Sequence, residues 1–204
     1  MGTLITISRE YGSGGRCIGR LVAEKLGIPL FDREIIEMAS ERSGLSPEII
    51  ETAELRARSS LSYTFASAMT FGETFAAEPI SVNEKLFIAQ SDVIRQIAKS
   101  GDGVIVGRCA DYILEDVPGV TNVFIYAEME DKIKRCVEMY NDDPSMARKI
   151  VEDYGKARVN YYNFHTGKRW GNYANYNLAI NTSYISDEES ANLIVEYVKK
   201  RLYK

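Results

Sequence analysis

The sequence predicts an α/β protein in which helices cover both faces of a parallel β-sheet. Two observations lead to this fold class: short, continuous apolar runs, and helical patterns in the segments between them. The apolar runs are LITIS (4–8), IPLF (28–31), VIVG (104–107), VFIYA (123–127) and LAIN (178–181). Continuous apolar runs are typical of strands that are buried on both faces, as in parallel sheets. We therefore expect five parallel strands.

The segments between these runs carry helix signals. A stripe at helical spacing consists of Leu86, Gln90, Val93, Ile94, Ile97 and Ala98. Ser186 with Glu189 forms a capping box that begins the last helix, and Ser46 before Pro47 indicates another helix start. Residues 59–77 are small, hydroxylated and aromatic without clean periodicity. We expect an insertion there, not a linker between domains.

Length and composition indicate one globular domain spanning residues 1–204. The 204 residues are 45% hydrophobic and 26% charged, which is ordinary for a domain with a single core. The net charge of −4 and the pI near 5.3 argue against nucleic acid or a membrane as partner, because such partners usually require a basic excess. Any phosphate site must therefore be local, and we expect a monomer or a homodimer.

Cysteine usage and the N-terminal sequence indicate a reduced, cytoplasmic protein. Cys17, Cys109 and Cys136 are widely separated and lack C-x-x-C spacing, and His165 is the one histidine, so a zinc site is not expected. The N-terminus does not resemble a signal peptide. No apolar run approaches the roughly 20 residues that span a bilayer.

A glycine-rich stretch, SREYGSGGRCIGR (8–20), follows the first predicted strand and runs into a helical pattern that ends at Gly27. Gly12, Gly14 and Gly15 let the backbone curl with its N–H groups inward, and the following helix start favours an anion. An ordinary phosphate-binding loop reads G-x-x-x-x-G-K-[ST], but this stretch has no lysine. The alternative interpretation is a tight strand-to-helix turn without a ligand.

Three longer stretches resemble the cytidylate kinase-like family, which is related to the bacterial cytidylate kinases. They are ITISREYGSGGRCIGRLVAEKLGIPLFDREII, GVIVGRCADYIL and KARVNYYNFHTGKRWGNYANYNLAINTSYIS. The resemblance implies a three-layer P-loop nucleoside monophosphate kinase fold with a five-stranded parallel sheet. It also implies a helical insertion over the monophosphate (about 40–85) and an arginine-rich lid over the triphosphate (about 134–176). ATP and Mg²⁺ are the implied cofactors, and nucleotides the implied substrates.

The resemblance implies acceptor contacts at the ends of the second and third strands. FDRE offers Asp32 with Arg33, where cytidylate kinases carry an aspartate near cytidine monophosphate. VGRCAD offers Arg108 at the end of a central strand, beside the crevice where such sheets bind ligands. The planar fork of an arginine suits phosphate. The alternative for Arg108 is a plain surface arginine.

The motif after the third strand departs from the family pattern, which reads Gly-Arg-Asp. Gly107 and Arg108 are kept, but Cys109 stands at the aspartate position. Asp111, two residues later, is the candidate replacement on the acceptor. The alternative for Asp111 is an exposed acid at a helix start.

A basic run between the fourth and fifth strands is the predicted lid. It comprises Lys134, Arg135, Arg148, Lys149, Lys156 and Arg158. Such cations would neutralise charge on a transferring phosphoryl group, and we assign a catalytic role to Arg158 together with Arg16 and Arg108. The alternative is a set of solvated helix faces, because acids lie close to each cation in sequence.

Three positions depart from the family pattern in the lid region. Related sequences carry an acid, an arginine and an aspartate where this chain has Gly155, Ala157 and Asn177. The aromatic segment YYNFHTGKRWGNYANY (161–176) is expected to pack against the core or lid, with stacking on a base as the alternative.

The missing lysine gives a specific prediction. When this stretch is aligned without gaps to an ordinary phosphate-binding loop, Gly15 takes the lysine position and Arg16 the serine or threonine position. Cys17 is then left as a poor magnesium ligand. We predict that Gly12, Gly14, Gly15 and Ser13 cradle ATP and that Arg16 supplies the main positive charge. Arg9 is the second candidate for that charge. Magnesium would be held mainly by phosphates, water and a remote carboxylate.

The predicted function is ATP-dependent phosphorylation of CMP, dCMP or a related small acceptor, through positioning and charge neutralisation. The first alternative is a non-catalytic nucleotide-binding regulator that keeps the kinase fold. The second is an interaction module in which the glycine-rich loop is only structural. Production of ADP separates the enzyme from the regulator, and a nucleotide-dependent rise in melting temperature argues against the interaction module.

Overall fold

A single five-stranded sheet forms the centre of the protein. The computed structural model describes residues 2–44 and 82–202. The strands are β1 (Leu4–Arg9), β2 (Leu30–Phe31), β3 (Gly103–Val106), β4 (Thr121–Tyr126) and β5 (Leu178–Asn181). Their order is β2-β3-β1-β4-β5, and every adjacent pair is parallel. The predicted α/β class with a five-stranded parallel sheet is therefore confirmed.

Helices connect the strands and cover the sheet. In the described ranges they are α1 (Gly15–Leu26), α2 (Glu34–Ser43), α3 (Val82–Ser100), α4 (Ala110–Ile113), α5 (Met129–Tyr140), α6 (Ala147–Thr166) and α7 (Asp187–Leu202). A 3₁₀ turn spans Tyr173–Asn175. The predicted helix start at Ser46, the segment 59–77 and most of the predicted insertion at 40–85 lie outside the described residues.

The capping box at the last helix is confirmed. The Glu189 carboxylate accepts a hydrogen bond from the Ser186 backbone N–H at 2.9 Å, and the Ser186 hydroxyl accepts one from the Glu189 N–H at 3.2 Å. These reciprocal bonds satisfy two donors that a helix start leaves unpaired. The capping box therefore fixes where the chain turns from β5 into α7.

Two apolar clusters form the core, one on each face of the sheet. Ile5 and Ile7 of β1 point to the face covered by α1 and α7, where they pack with Ile18 and Ile194. Leu4 and the α3 stripe belong to the opposite cluster. Because both faces are covered, the strands are apolar on both sides, which explains the continuous apolar runs in the sequence.

The sheet order places the ends of β1 and β3 side by side. The register pairs Ile7 with Val106, and the Gly107 N–H donates a hydrogen bond to the Ile7 carbonyl at 3.0 Å. The loops that follow these strands therefore emerge as neighbours at the carboxyl edge of the sheet, where open α/β sheets bind ligands. Across residues 2–44 and 82–202, no helix has the length and apolar character needed to cross a membrane.

Candidate active site

A cavity of about 860 Å³ opens at the carboxyl edge of the sheet. Its wall combines the loop after β1, the start of α1, the residues after β2 and β3, and one side of α6. The predicted site residues that line it are Gly12, Gly14, Gly15, Arg16, Cys17, Asp32, Arg33, Arg108, Arg135 and Arg158. The structure thus brings together residues that the sequence assigned separately to the donor, the acceptor and the lid.

Six predicted site residues do not line this cavity: Ser13, Asp111, Lys134, Arg148, Lys149 and Lys156. The Ser13 hydroxyl donates hydrogen bonds to the carbonyls of Glu10 at 2.9 Å and Ile125 at 3.2 Å, so it ties the loop to β4. Lys134 lines a second cavity of about 290 Å³. Lys156 is exposed on α6.

Asp111 is buried behind the cavity wall. Its carboxylate accepts hydrogen bonds from the Tyr162 hydroxyl at 2.7 Å and the Ser8 hydroxyl at 3.4 Å. Burial raises the pKa of Asp111. The alternative of an exposed helix-start acid is wrong, because only 5% of the residue is accessible. Asp111 instead holds Tyr162 and Ser8, which both line the cavity.

The glycine-rich loop takes a tightly curled path. Gly12 and Gly14 both have a φ of 79°, a conformation that favours glycine. A Cβ at Gly14 would lie 2.8 Å from the Arg135 guanidinium and from the Asp187 carboxylate. Gly14 also caps α1 without a side-chain hydrogen bond. A helix start without a side-chain cap beside a curled backbone has the form of an anion site.

The side chain of Arg9 covers the first residue of α1. A Cβ at Gly15 would lie 2.5 Å from the Cβ of Arg9 and 3.0 Å from its Cγ. A Cβ at Gly107 would lie 1.7 Å from Nη1 of the same arginine. The Arg9 side chain therefore extends from the start of α1 to the end of β3, and it lines the cavity along this path.

Arg16 points across the cavity to the end of β2. Its Nε lies 2.5 Å from Oδ2 of Asp32, which is buried. The Glu34 carboxylate accepts a hydrogen bond from the Asp32 backbone N–H at 2.9 Å, and this bond lowers the pKa of Glu34. The start of α1 is therefore joined to the predicted acceptor side. The neighbouring Arg33 is exposed at the cavity wall.

The turn after β3 is conformationally strained. Gly107, Arg108 and Cys109 have consecutive positive φ values of 79°, 55° and 56°. A non-glycine residue in this region costs about 1–3 kcal/mol and persists only where its surroundings hold it. The strained turn places Arg108 in the cavity wall while Cys109 is buried. Arg108 is therefore half-buried in the cavity wall and not fully exposed, and its contact with a ligand stays a prediction.

Two of the predicted lid arginines reach the glycine-rich loop. Arg135 forms a two-pronged ion pair with Asp187, with N–O distances of 2.7 and 2.8 Å. Arg158 donates a hydrogen bond to the Arg9 carbonyl at 2.8 Å, and its guanidinium lies 5.7 Å from the centre of the Tyr11 ring. Arg148, in contrast, is exposed and pairs with Glu130 on α5.

Tyr11 connects the loop to the lid helices and was missed by the sequence analysis. Its ring stacks on Tyr154 of α6 with centroids 4.0 Å apart and planes 2° apart. Its hydroxyl donates a hydrogen bond to Asp142 at 3.1 Å. Burial and then the Asp142 carboxylate raise the pKa of Tyr11. The sequence feature that could have indicated this contact is a large aromatic residue inside a loop that otherwise consists mainly of small residues.

Part of the aromatic segment 161–176 packs against the protein, whereas Phe164 and Tyr173 are 60% and 84% exposed. Trp170 meets Phe124 edge-on at 5.1 Å, and Tyr162 is buried. The expected core packing is confirmed for these residues, while Tyr161, Tyr162 and Trp170 also face the cavity.

The described part of the chain does not form a metal site of its own. Among residues 2–44 and 82–202, no group of three or more His, Cys, Asp or Glu side chains is arranged to hold a metal ion. The acids that line the cavity have protein partners: Asp32 pairs with Arg16, Glu34 accepts a hydrogen bond from the Asp32 N–H, and Glu10 pairs with Lys132 at 2.7 Å. The described side chains therefore do not fit a protein-built Mg²⁺ site.

Solved structures share this fold. A protein of uncharacterised function from Eubacterium ventriosum aligns with a TM-score of 0.71 at 26% identity, covering 97% of this chain and 98% of that one. Shikimate kinase from Acinetobacter baumannii, in complex with shikimate, has a TM-score of 0.53 at 13% identity, covering 100% and 96% of the two chains. A gluconokinase from Sinorhizobium meliloti has a TM-score of 0.51 at 13% identity, covering 99% and 96%. The last two show the P-loop kinase fold alone.

The sequence comparison identifies the family. No curated protein matches this chain. The model of the cytidylate kinase-like family matches residues 4–184, which is most of the chain and includes the glycine-rich loop, Arg108 and Arg158. The chain belongs to the cytidylate kinase-like family.

Proposed function

We propose that this protein transfers the terminal phosphoryl group of ATP to CMP, dCMP or a related small acceptor. The family and the fold indicate a kinase-type phosphotransferase. One observation carries the finer proposal: a curled glycine-rich loop and arginines from β1, α1, the β3 turn and α6 line the same cavity. Such a cavity suits two phosphorylated ligands held close together.

The donor side is the loop of residues 12–17 at the start of α1. Its backbone and the positive end of the helix favour the phosphates of ATP. The smaller cavity supports this assignment, because Gly12 and Arg135 line both cavities. A nucleotide with its phosphates on the loop has room to extend between α5 and Thr182, which follows β5.

The acceptor side is formed by Asp32, Arg33 and Arg108. Arg108 is held in the wall by a strained turn, which is typical of residues that a site positions for function. Asp32 is buried and oriented by Arg16. We assign the monophosphate to Arg108 with Arg33, and polar contacts of the acceptor to Asp32.

The reaction forms one bond and breaks one. An acceptor oxygen bonds to the terminal phosphorus of ATP, while the bond from that phosphorus to the bridging oxygen breaks and its electrons leave with ADP. The protein contributes mainly by positioning the ligands and balancing charge on the phosphoryl oxygens. We assign this charge balance to Arg108 and Arg158, which line the cavity. Mg²⁺ is proposed as the companion of the ATP phosphates.

A second candidate function is a nucleotide-binding regulator without turnover. Ala157 lines the cavity at a position where the family resemblance implies an arginine. A missing cation would slow phosphoryl transfer more than it would weaken binding, because charge builds up on the transferring group. The two candidates share the ligand and differ in whether ADP forms.

Calorimetric titration with ATP, CMP and dCMP tests the proposed ligands, with shikimate and gluconate as the comparison acceptors. We expect ATP and one cytidine monophosphate to bind, and each to raise the melting temperature. At a ligand concentration one hundred times Kd, binding stabilises the fold by about 2.7 kcal/mol. Binding of shikimate or gluconate but neither cytidine monophosphate would contradict the acceptor assignment.

The three cysteines are free, which supports the proposed reducing, cytoplasmic location.

A further inference from the structure

We infer that Arg9 replaces the missing loop lysine as the main cation on the terminal phosphates of the donor. This inference rests on the proposed function, because it assigns a role toward ATP. It differs from the expectation drawn from the sequence, which gave that role to Arg16. The structure supports Arg9 through the space it fills, the direction of its side chain, and the position of Arg16.

The space argument concerns Gly15, which takes the lysine position of an ordinary loop. A side chain at this residue would begin 2.5 Å from the Cβ of Arg9, closer than real Cβ atoms approach other heavy atoms. Unlike Gly12 and Gly14, Gly15 has no positive φ, so the backbone itself does not demand glycine there. The close packing of Arg9 therefore accounts for the glycine. A lysine at 15 is therefore excluded while residue 9 carries a Cβ in this position, as Arg9 does.

The direction of the side chain places its charge between donor and acceptor. Arg9 Nη1 lies so close to Gly107 that a Cβ there would be 1.7 Å away. Gly107 directly precedes Arg108, the residue assigned to the acceptor. The Arg9 guanidinium therefore lies between the start of α1 and the acceptor turn, where a phosphoryl group must pass. An arginine fork suits the oxygens of a terminal phosphate.

Arg16 is oriented differently. Its Nε contacts Asp32 at 2.5 Å, and 58% of its side chain is exposed. This contact directs Arg16 toward the end of β2 and the acceptor side. Arg158, unlike Arg16, contacts Arg9 directly, because it donates a hydrogen bond to the Arg9 carbonyl at 2.8 Å. The lid arginine is therefore anchored to the backbone of the residue that we propose as the donor cation.

A side-chain exchange between the two positions provides the test. Arg9→Met keeps an apolar stem but removes the charge, and we expect it to weaken ATP binding at least tenfold in calorimetry while CMP binding changes less. Gly15→Lys alone is expected to weaken ATP binding and lower the melting temperature, because the new side chain meets Arg9. In Arg9→Gly/Gly15→Lys, both the Cβ and the Cγ that would meet the new side chain are gone, and the nearest remaining atom is Ile125 Cβ, 3.3 Å from the new Cβ. ATP affinity should then return to within a few-fold of wild type.

Arg95→Ala is the matched control, because Arg95 is exposed on α3 and its Nη1 lies 3.9 Å from the equally exposed carboxylate of Asp92. Wild-type ATP affinity in Arg9→Met, or no recovery in the double variant relative to Arg9→Gly, would overturn the inference. A double variant that does not fold also counts against it, since the inference requires the two side chains to be interchangeable. If the wild-type protein binds no ATP, the proposed function itself fails. Wild-type ATP binding with an unaffected Arg9→Met refutes the Arg9 role alone.

Discussion

Arg16 Nε lies 2.5 Å from the carboxylate of the buried Asp32, and this ion pair joins the start of α1 to the end of β2. The predicted donor loop and the predicted acceptor side therefore share one contact. Removing Arg16 would leave the buried Asp32 carboxylate without its cation, which is costly. We therefore expect the loss of either partner to change how the other is positioned.

The first prediction is that Arg16→Ala weakens CMP binding more than ATP binding. Without Arg16, Asp32 loses the partner that orients it toward the acceptor. In a double-mutant cycle with Asp32→Asn, we expect a coupling of about 0.5–3 kcal/mol in CMP affinity. Calorimetry with each ligand measures both quantities. A larger loss for ATP than for CMP would return Arg16 to the donor phosphates, as the sequence alone suggested.

The second prediction concerns Arg108. Arg108→Ala should weaken binding of the monophosphate by about 2 to 3 kcal/mol, the size of a lost charge-assisted hydrogen bond. The fold should stay intact, because alanine removes the side chain from the cavity wall without filling the core. Titration with CMP checks the affinity, and Arg95→Ala serves as the surface control. Unchanged CMP affinity would refute the acceptor assignment.

The third prediction tests whether Tyr11 fastens the lid helices to the loop. Tyr11→Phe keeps the stack on Tyr154 and loses the hydrogen bond to Asp142, at a cost of about 1 kcal/mol in unfolding free energy. Tyr11→Ala loses both contacts, so we expect faster amide exchange along α6. Tyr173→Ala is the comparison, because that ring is 84% exposed. Unchanged exchange in α6 of Tyr11→Ala would show that the stack does not hold the lid.

The fourth prediction is a pH dependence of stability that arises from His165. Its ring stacks on Phe87 at 4.2 Å, and burial lowers its pKa to about 4. An unfolded histidine binds a proton below about pH 6.5, so between these values the unfolded chain binds more protons than the folded one. Stability contributed by neutral His165 is therefore full above about pH 6.5 and is lost progressively as the pH falls toward 4.

His165→Phe keeps an aromatic ring beside Phe87 and removes the titration. We expect the unfolding free energy of wild type, relative to this variant, to fall from pH 7 to pH 4 and then level off. Urea denaturation at several pH values measures the difference, in which the other titrating groups largely cancel. A difference that does not change with pH would show that His165 has the same pKa in the folded and the unfolded protein.

The sequence predicted the strands well because their apolar runs are local features. The predicted and observed strand bounds differ where pairing with a neighbouring strand extends or shortens a strand. β4 begins at Thr121, before the apolar run, because its polar start pairs with β1: Ile5 is in register with Thr121, and the Thr6 hydroxyl bonds the Asn122 side chain at 2.7 Å. β2 is reduced to Leu30–Phe31 at the edge of the sheet, where only one neighbour supports it.

The candidate site was predictable in part. Motifs after the strands located the loop, Asp32 and Arg108, because the carboxyl ends of parallel strands meet at one edge. The packing of Arg9 against Gly107, the stack of Tyr11 on Tyr154 and the burial of Asp111 depend on segments far apart in sequence. Periodicity and spacing carry no information about such contacts.

The most direct test of the proposed activity is a single measurement of product formation. The protein is incubated with ATP, Mg²⁺ and either CMP or dCMP, and the nucleotides are separated by chromatography. The account predicts equal amounts of ADP and the cytidine diphosphate, with little ADP when the acceptor is omitted. Absence of both products, in protein that binds ATP and CMP by calorimetry, would contradict phosphoryl transfer to CMP and dCMP and support the non-catalytic nucleotide-binding regulator instead.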